Sequence, residues 1–106
     1  MRAISPSLLA ADFGNLQREC EMINASSAEY LHIDVMDGVF VPNISFGFPV
    51  MEACKKHCIK PLDVHLMITH PENYVERFCD AGAWSVGFHI EAVDNPMPVI
   101  ELIRNK

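Results

Sequence analysis

Two short segments carry residue types that can do chemistry. HIDVM covers residues 32–36, and HLM covers residues 65–67. Each places a histidine on an otherwise apolar stretch, and the first adds a carboxylate two residues on. In an extended strand, residues i, i+2 and i+4 share a face. His32, Asp34 and Met36 therefore lie opposite Leu31, Ile33 and Val35, and Asp63, His65 and Met67 lie opposite Leu62, Val64, Leu66 and Ile68. A lone strand histidine is more often a hydrogen-bonded structural residue than a ligand. Two matched strands are a stronger signal: His32, Asp34 and His65 form a two-histidine, one-carboxylate set suited to Zn²⁺ or Fe²⁺ with positions left open for substrate. The alternative is that these groups satisfy one another, because buried imidazoles and carboxylates need partners. Met36 and Met67 follow the candidate ligands toward the strand ends, as an apolar lid would.

The surrounding elements alternate. Residues 3–9 read as an extended apolar segment with Ser5 and Ser7 on one face, and a helix is expected over 12–24 with Phe13, Leu16, Cys20 and Ile23 along its buried stripe. Strand 30–36 leads into a loop of turn formers, then a helix at 48–58 and a strand at 61–68. Thr69 with Glu72 reads as a capping box, with Pro71 in the first turn of a helix carrying Tyr74, Val75, Phe78 and Ala81. A fourth strand at 84–90 turns Ser85, Gly87 and His89 to the polar side, and a last helix starts near Pro96. Strands alternating with helices over short loops predict an α/β fold with a parallel sheet of βαβ units. Four such units amount to half of a (β/α)₈ barrel, which typically needs about 250 residues.

Such strands usually read as continuous apolar runs because both sides are covered. Here each has one polar face, so those faces are expected to converge on a shared interior. Asp63 starts its strand and reads as a structural residue at the deeper end. His57 and His70 read as surface residues, and His89 is poised between a pocket role and none.

The chain has 106 residues, half of them hydrophobic, with a net charge of −6. That composition fits one globular domain, with no internal boundary over 1–106, and no Lys/Arg cluster suggests nucleic acid. No apolar run approaches a membrane span, and the N-terminal residues lack a leader pattern, so a cytoplasmic location is expected. Cys20, Cys54, Cys58 and Cys79 lack metal-ribbon spacing and read as small buried hydrophobes.

SPSLLAADF, LHIDVMDGVFVPNISFG, PLDVHLM and FHIEA together resemble the N-terminal half of the ribulose-phosphate 3-epimerase family, a (β/α)₈ barrel. The resemblance covers essentially the whole chain. It implies one divalent metal, Zn or Fe with Mn or Co as alternatives, on His32, Asp34 and His65. Asp34 would also be a catalytic acid/base, and Ser7, His65, Met36 and Met67 would contact substrate. The implied reaction interconverts D-ribulose 5-phosphate and D-xylulose 5-phosphate at C3 through an enediolate. The implied setting is a cytoplasmic homo-oligomer acting on a pentose phosphate. Trp84 and Gly87 depart from the family pattern, which commonly has Asp and Ser or Thr at those places. Neither the family's opposing acid/base nor its glycine-rich phosphate loops occur in these 106 residues, so the reaction is expected in the context of a complete barrel. The alternatives are epimerisation of a related ketose phosphate such as D-allulose 6-phosphate, or a metal-binding half-barrel that acts through association.

Overall fold

The computed structural model describes residues 3–106. The strands are β1 (Leu31–Met36), β2 (Leu62–Met67) and β3 (Ala83–Phe88), all parallel in the order β1-β2-β3. The helices are α1 (Leu16–Ala25), α2 (Phe48–His57), α3 (Val75–Asp80) and α4 (Met97–Arg104). In β1 and β2, buried and half-buried residues alternate strictly. Leu31, Ile33, Val35, Leu62, Val64 and Leu66 are buried against Cys20 of α1, Met51 and Cys54 of α2, Val75 and Phe78 of α3 and Val99 of α4. The helices thus cover the apolar side of the sheet and leave the other side to the polar residues.

Register then decides which polar residues meet. His32 pairs with Asp63, Asp34 with His65, and Met36 with Met67. Between β2 and β3 the register shifts at Leu62 and Asp63: Ala83 faces Leu62, whereas Ser85 faces Asp63 and Gly87 faces His65. Trp84 is the residue passed over at that irregularity. It is exposed and stacks on Tyr30, with ring centroids 5.0 Å apart.

Several expectations need correction. Residues 3–9 do not form a regular strand. The segment lies along β1, where the Pro6 carbonyl accepts from the His32 N–H at 2.9 Å, but only one bridge, Ser7 to His32, is made. Pro6 has no N–H to continue a ladder, and Ser7 ends the segment by capping a 3₁₀ turn at Leu8–Ala10. The first helix is likewise delayed by a 3₁₀ turn at Phe13–Asn15, which takes Phe13 off the buried stripe and sets its ring against Phe46 at 5.6 Å. No capping box forms at Thr69, because its hydroxyl donates to Asp37 instead. His70 then turns through a left-handed conformation (φ 50°), and the helix breaks into a 3₁₀ turn at Pro71–Asn73 followed by α3. Tyr74 is left partly exposed while Val75 and Phe78 are buried. β3 ends at Phe88, so His89 and Ile90 lie beyond the strand. His70 is exposed as expected, but His57 is half-buried at the end of α2, its carbonyl accepting from the Asn24 amide.

All four cysteines are free. Cys20, Cys54 and Cys58 are buried in the core, and burial pushes the Cys54 thiol up to about 12. They behave as hydrophobes rather than nucleophiles.

Candidate metal centre

Three strand residues converge at the polar face of the sheet. His32 and Asp34 stand two residues apart on β1, and His65 stands on β2 at the register position of Asp34. One carboxylate oxygen, Asp34 Oδ1, lies 2.9 Å from His32 Nε2 and 3.2 Å from His65 Nδ1. Among the described residues, these three form the one group of His, Cys, Asp or Glu side chains placed to share an ion. A tetrahedral ion with bonds of about 2.0–2.1 Å holds its ligand atoms about 3.3 Å apart. The donors present fit such an ion in chemistry, two imidazole nitrogens and one carboxylate oxygen, all within 4.8 Å of one another.

The neighbours hold this set in place. Ser7 Oγ donates to the second Asp34 oxygen at 2.8 Å, which brings the N-terminal segment to the site. Ser45 Oγ donates to the Asp34 carbonyl at 2.7 Å and accepts from the Met36 N–H at 2.9 Å, tying the following loop to the same strand. Asp63 Oδ2 lies 3.0 Å from His32 Nδ1, leaving Nε2 turned toward Asp34. His89 Nε2 lies 2.8 Å from His65 Nε2. Burial disfavours a charged His32, but the hydrogen bond to Asp63 and the charges of Asp34 and Asp63 outweigh it, so its pKa is raised above the ordinary imidazole value.

The residues singled out from sequence are therefore gathered together. Ser7 touches Asp34, and Met36 and Met67 sit side by side in register one step beyond the donors. Asp63, expected to be a structural residue at the deeper end of its strand, instead reaches the site through His32 Nδ1. Strand alternation already put it on the right face; the pairing with His32 needed the register. Ser45 carries no local pattern that distinguishes it from the other polar residues of its loop.

The profile of the Ribulose-phosphate 3 epimerase family matches residues 3–106. The chain belongs to that family. A ribulose-phosphate 3-epimerase of Mycobacterium tuberculosis (strain ATCC 25618 / H37Rv) is 48% identical over 101 residues, covering 95% of this chain and 43% of the relative. A ribulose-phosphate 3-epimerase, cytoplasmic isoform, of Oryza sativa subsp. japonica is 45% identical over 104 residues, covering 97% and 46%. The Treponema pallidum (strain Nichols) ribulose-phosphate 3-epimerase is 44% identical over 103 residues, covering 97% and 47%. The chain thus spans less than half the length of these curated relatives. Its parallel β/α units are those of part of a ribulose-phosphate 3-epimerase barrel. Among the described residues, no helix is long and apolar enough to cross a membrane.

Proposed function

We propose that residues 1–106 are the N-terminal half of a (β/α)₈ barrel that epimerises D-ribulose 5-phosphate and D-xylulose 5-phosphate at C3. The observation that carries this reading is the convergence of His32 Nε2, Asp34 Oδ1 and His65 Nδ1, with Ser7 on the remaining Asp34 oxygen. His32, Asp34 and His65 would hold a divalent ion, with Zn²⁺ or Fe²⁺ matching the donor set. Such an ion supplies Lewis-acid stabilisation of negative charge on the substrate's C2 oxygen.

The chain's own residues do the rest. Asp34 takes the C3 proton from one face of the sugar; the electron pair of that C–H bond becomes the C2–C3 double bond as the carbonyl π pair moves onto the C2 oxygen, forming an enediolate. The Ser7 hydroxyl holds one carboxylate oxygen so that the base keeps its aim. Met36 and Met67 flank the reacting carbons, where apolar side chains exclude water from the enediolate. Inversion needs a second acid on the opposite face, a group that the remaining part of the barrel would provide.

A chimera tests the reading. Residues 1–106 are placed in the Mycobacterium tuberculosis relative in exchange for the matching segment. Epimerisation should persist, and Asp34→Asn should lower kcat by about 10²–10⁴-fold, the range for a lost general base. Near-normal turnover by the Asp34→Asn chimera would sink the assignment of Asp34.

A further inference from the structure

His65 has two ring nitrogens, and both are engaged: Nδ1 faces Asp34 Oδ1 at 3.2 Å, and Nε2 faces His89 Nε2 at 2.8 Å. We infer that His89 is a positioning residue that commits His65 to present Nδ1, and only Nδ1, to a metal ion. The inference rests on the metal-site reading above and adds a residue that does not itself belong to the ligand set.

Two ring nitrogens 2.8 Å apart require a proton on one and a lone pair on the other. Without an ion, His65 Nδ1–H donates to Asp34, so its Nε2 accepts from His89 Nε2–H. When Nδ1 gives its lone pair to an ion, neutral His65 must carry its proton on Nε2, and that N–H needs an acceptor. His89 serves in both states, because an imidazole exchanges donor and acceptor roles by changing tautomer. The proton it gains on Nδ1 then faces Glu91, whose Oε2 lies 3.8 Å away. No proton has to be lost from the pair.

The backbone places His89 for this role. Gly87 is the register partner of His65, and β3 ends at the next residue, Phe88. His89, two residues on from Gly87, lies against the His65 ring, with ring centroids 5.0 Å apart and planes 30° from parallel. Phe40, in the loop after β1, flanks the His89 ring at 5.2 Å.

The test is cobalt(II) binding by the 106-residue chain, followed by its visible spectrum, with zinc-loaded samples for nitrogen-15 NMR of the imidazoles. His89→Phe keeps a ring but no nitrogen, and should weaken cobalt binding on the order of 10–100-fold, as loss of a ligand's outer partner does. His89→Gln offers both a donor and an acceptor and should stay within about threefold of the unaltered chain. In the zinc-loaded chain, His65 should show a metal-bound Nδ1 and a protonated Nε2. Equal cobalt affinity in folded His89→Phe, or coordination of His65 through Nε2, would overturn the inference. If circular dichroism shows His89→Phe unfolded, His89→Gln decides: retained affinity with a protonated His65 Nε2 supports it, and a folded chain weakened 100-fold overturns it. An unaltered chain that takes up no cobalt would bring down the metal reading itself, and this inference with it.

Discussion

Asp37, immediately after β1, is bonded twice to Thr69, two residues past β2: its Oδ2 accepts from the Thr69 N–H at 2.8 Å and from the Thr69 hydroxyl at 3.0 Å. Its Oδ1 accepts from the N–H groups of Val39 and Phe40, both at 2.9 Å. One carboxylate therefore fastens together the ends of two neighbouring strands, just beyond Met36 and Met67. Asp37→Asn keeps the shape but sets an amide NH₂ against N–H donors. It should lower the thermal midpoint on the order of 5 °C, read by circular dichroism.

The same residue sets an acid limit. Partial burial works against an ionised Asp37, but the hydrogen bonds from Thr69, Val39 and Phe40 outweigh it and hold the carboxyl well below the usual carboxylate range. A depressed folded-state pKa contributes stability above the unfolded value, about 3.9, and that contribution fades as pH falls below it. Urea midpoints of the unaltered chain should therefore drop between about pH 4 and pH 2, and those of Asp37→Asn should fall less steeply. Parallel curves for the two chains would contradict this account.

His32 responds in the opposite direction. Burial disfavours its charged form, but Asp63 and Asp34 raise its pKa overall. A raised pKa contributes stability that is complete below the unfolded value, about 6.5, and is lost as pH rises through the folded value. Metal binding needs the unprotonated nitrogen, so cobalt affinity should increase with pH and level off above the His32 transition. Affinity that does not change between about pH 6 and 8.5 would count against His32 as a ligand.

Asp63 meets the site through His32 Nδ1, 3.0 Å from its carboxylate. Asp63→Asn should shift the His32 proton NMR titration to lower pH and weaken cobalt binding on the order of 10-fold. An unmoved His32 titration would show that the contact is not made in solution.

Core and surface aromatics should separate clearly. Phe78 is 2% exposed and stacks on Phe48 at 4.4 Å, with the Arg77 guanidinium over the opposite ring at 3.8 Å. Phe78→Ala should cost about 3–5 kcal/mol in chemical denaturation. Trp84 is 64% exposed and has Tyr30 as its stacking partner, so Trp84→Ala should cost no more than about 1.5 kcal/mol.

What could be read from the chain itself followed from strand alternation and composition. A period of two assigns side chains to faces, and it separated His32, Asp34 and Met36 from Leu31, Ile33 and Val35 without any knowledge of neighbours. Breaks in that period marked β2 and α2 to within about a residue, within the ordinary scatter of element ends. Local preference misleads where it meets a distant competitor. Thr69 fits a capping box, but its hydroxyl is taken by Asp37, 32 residues earlier. Pro6 denies the N-terminal segment a ladder bond, and the 3₁₀ turn at Phe13–Asn15 moves Phe13 out of helical phase.

Tertiary structure alone decided who meets whom. Alternation says that Asp34 and His65 each sit on a polar face, but not that they share a register position across 31 residues. The irregularity at Trp84 sets Gly87 opposite His65, and His89 two residues on meets the His65 ring. Such pairings depend on how helices packed on the apolar face lock the strands against sliding. A slip of one residue would turn every polar side chain into the core. Residue types and face were thus a matter of sequence, while the site was made by register.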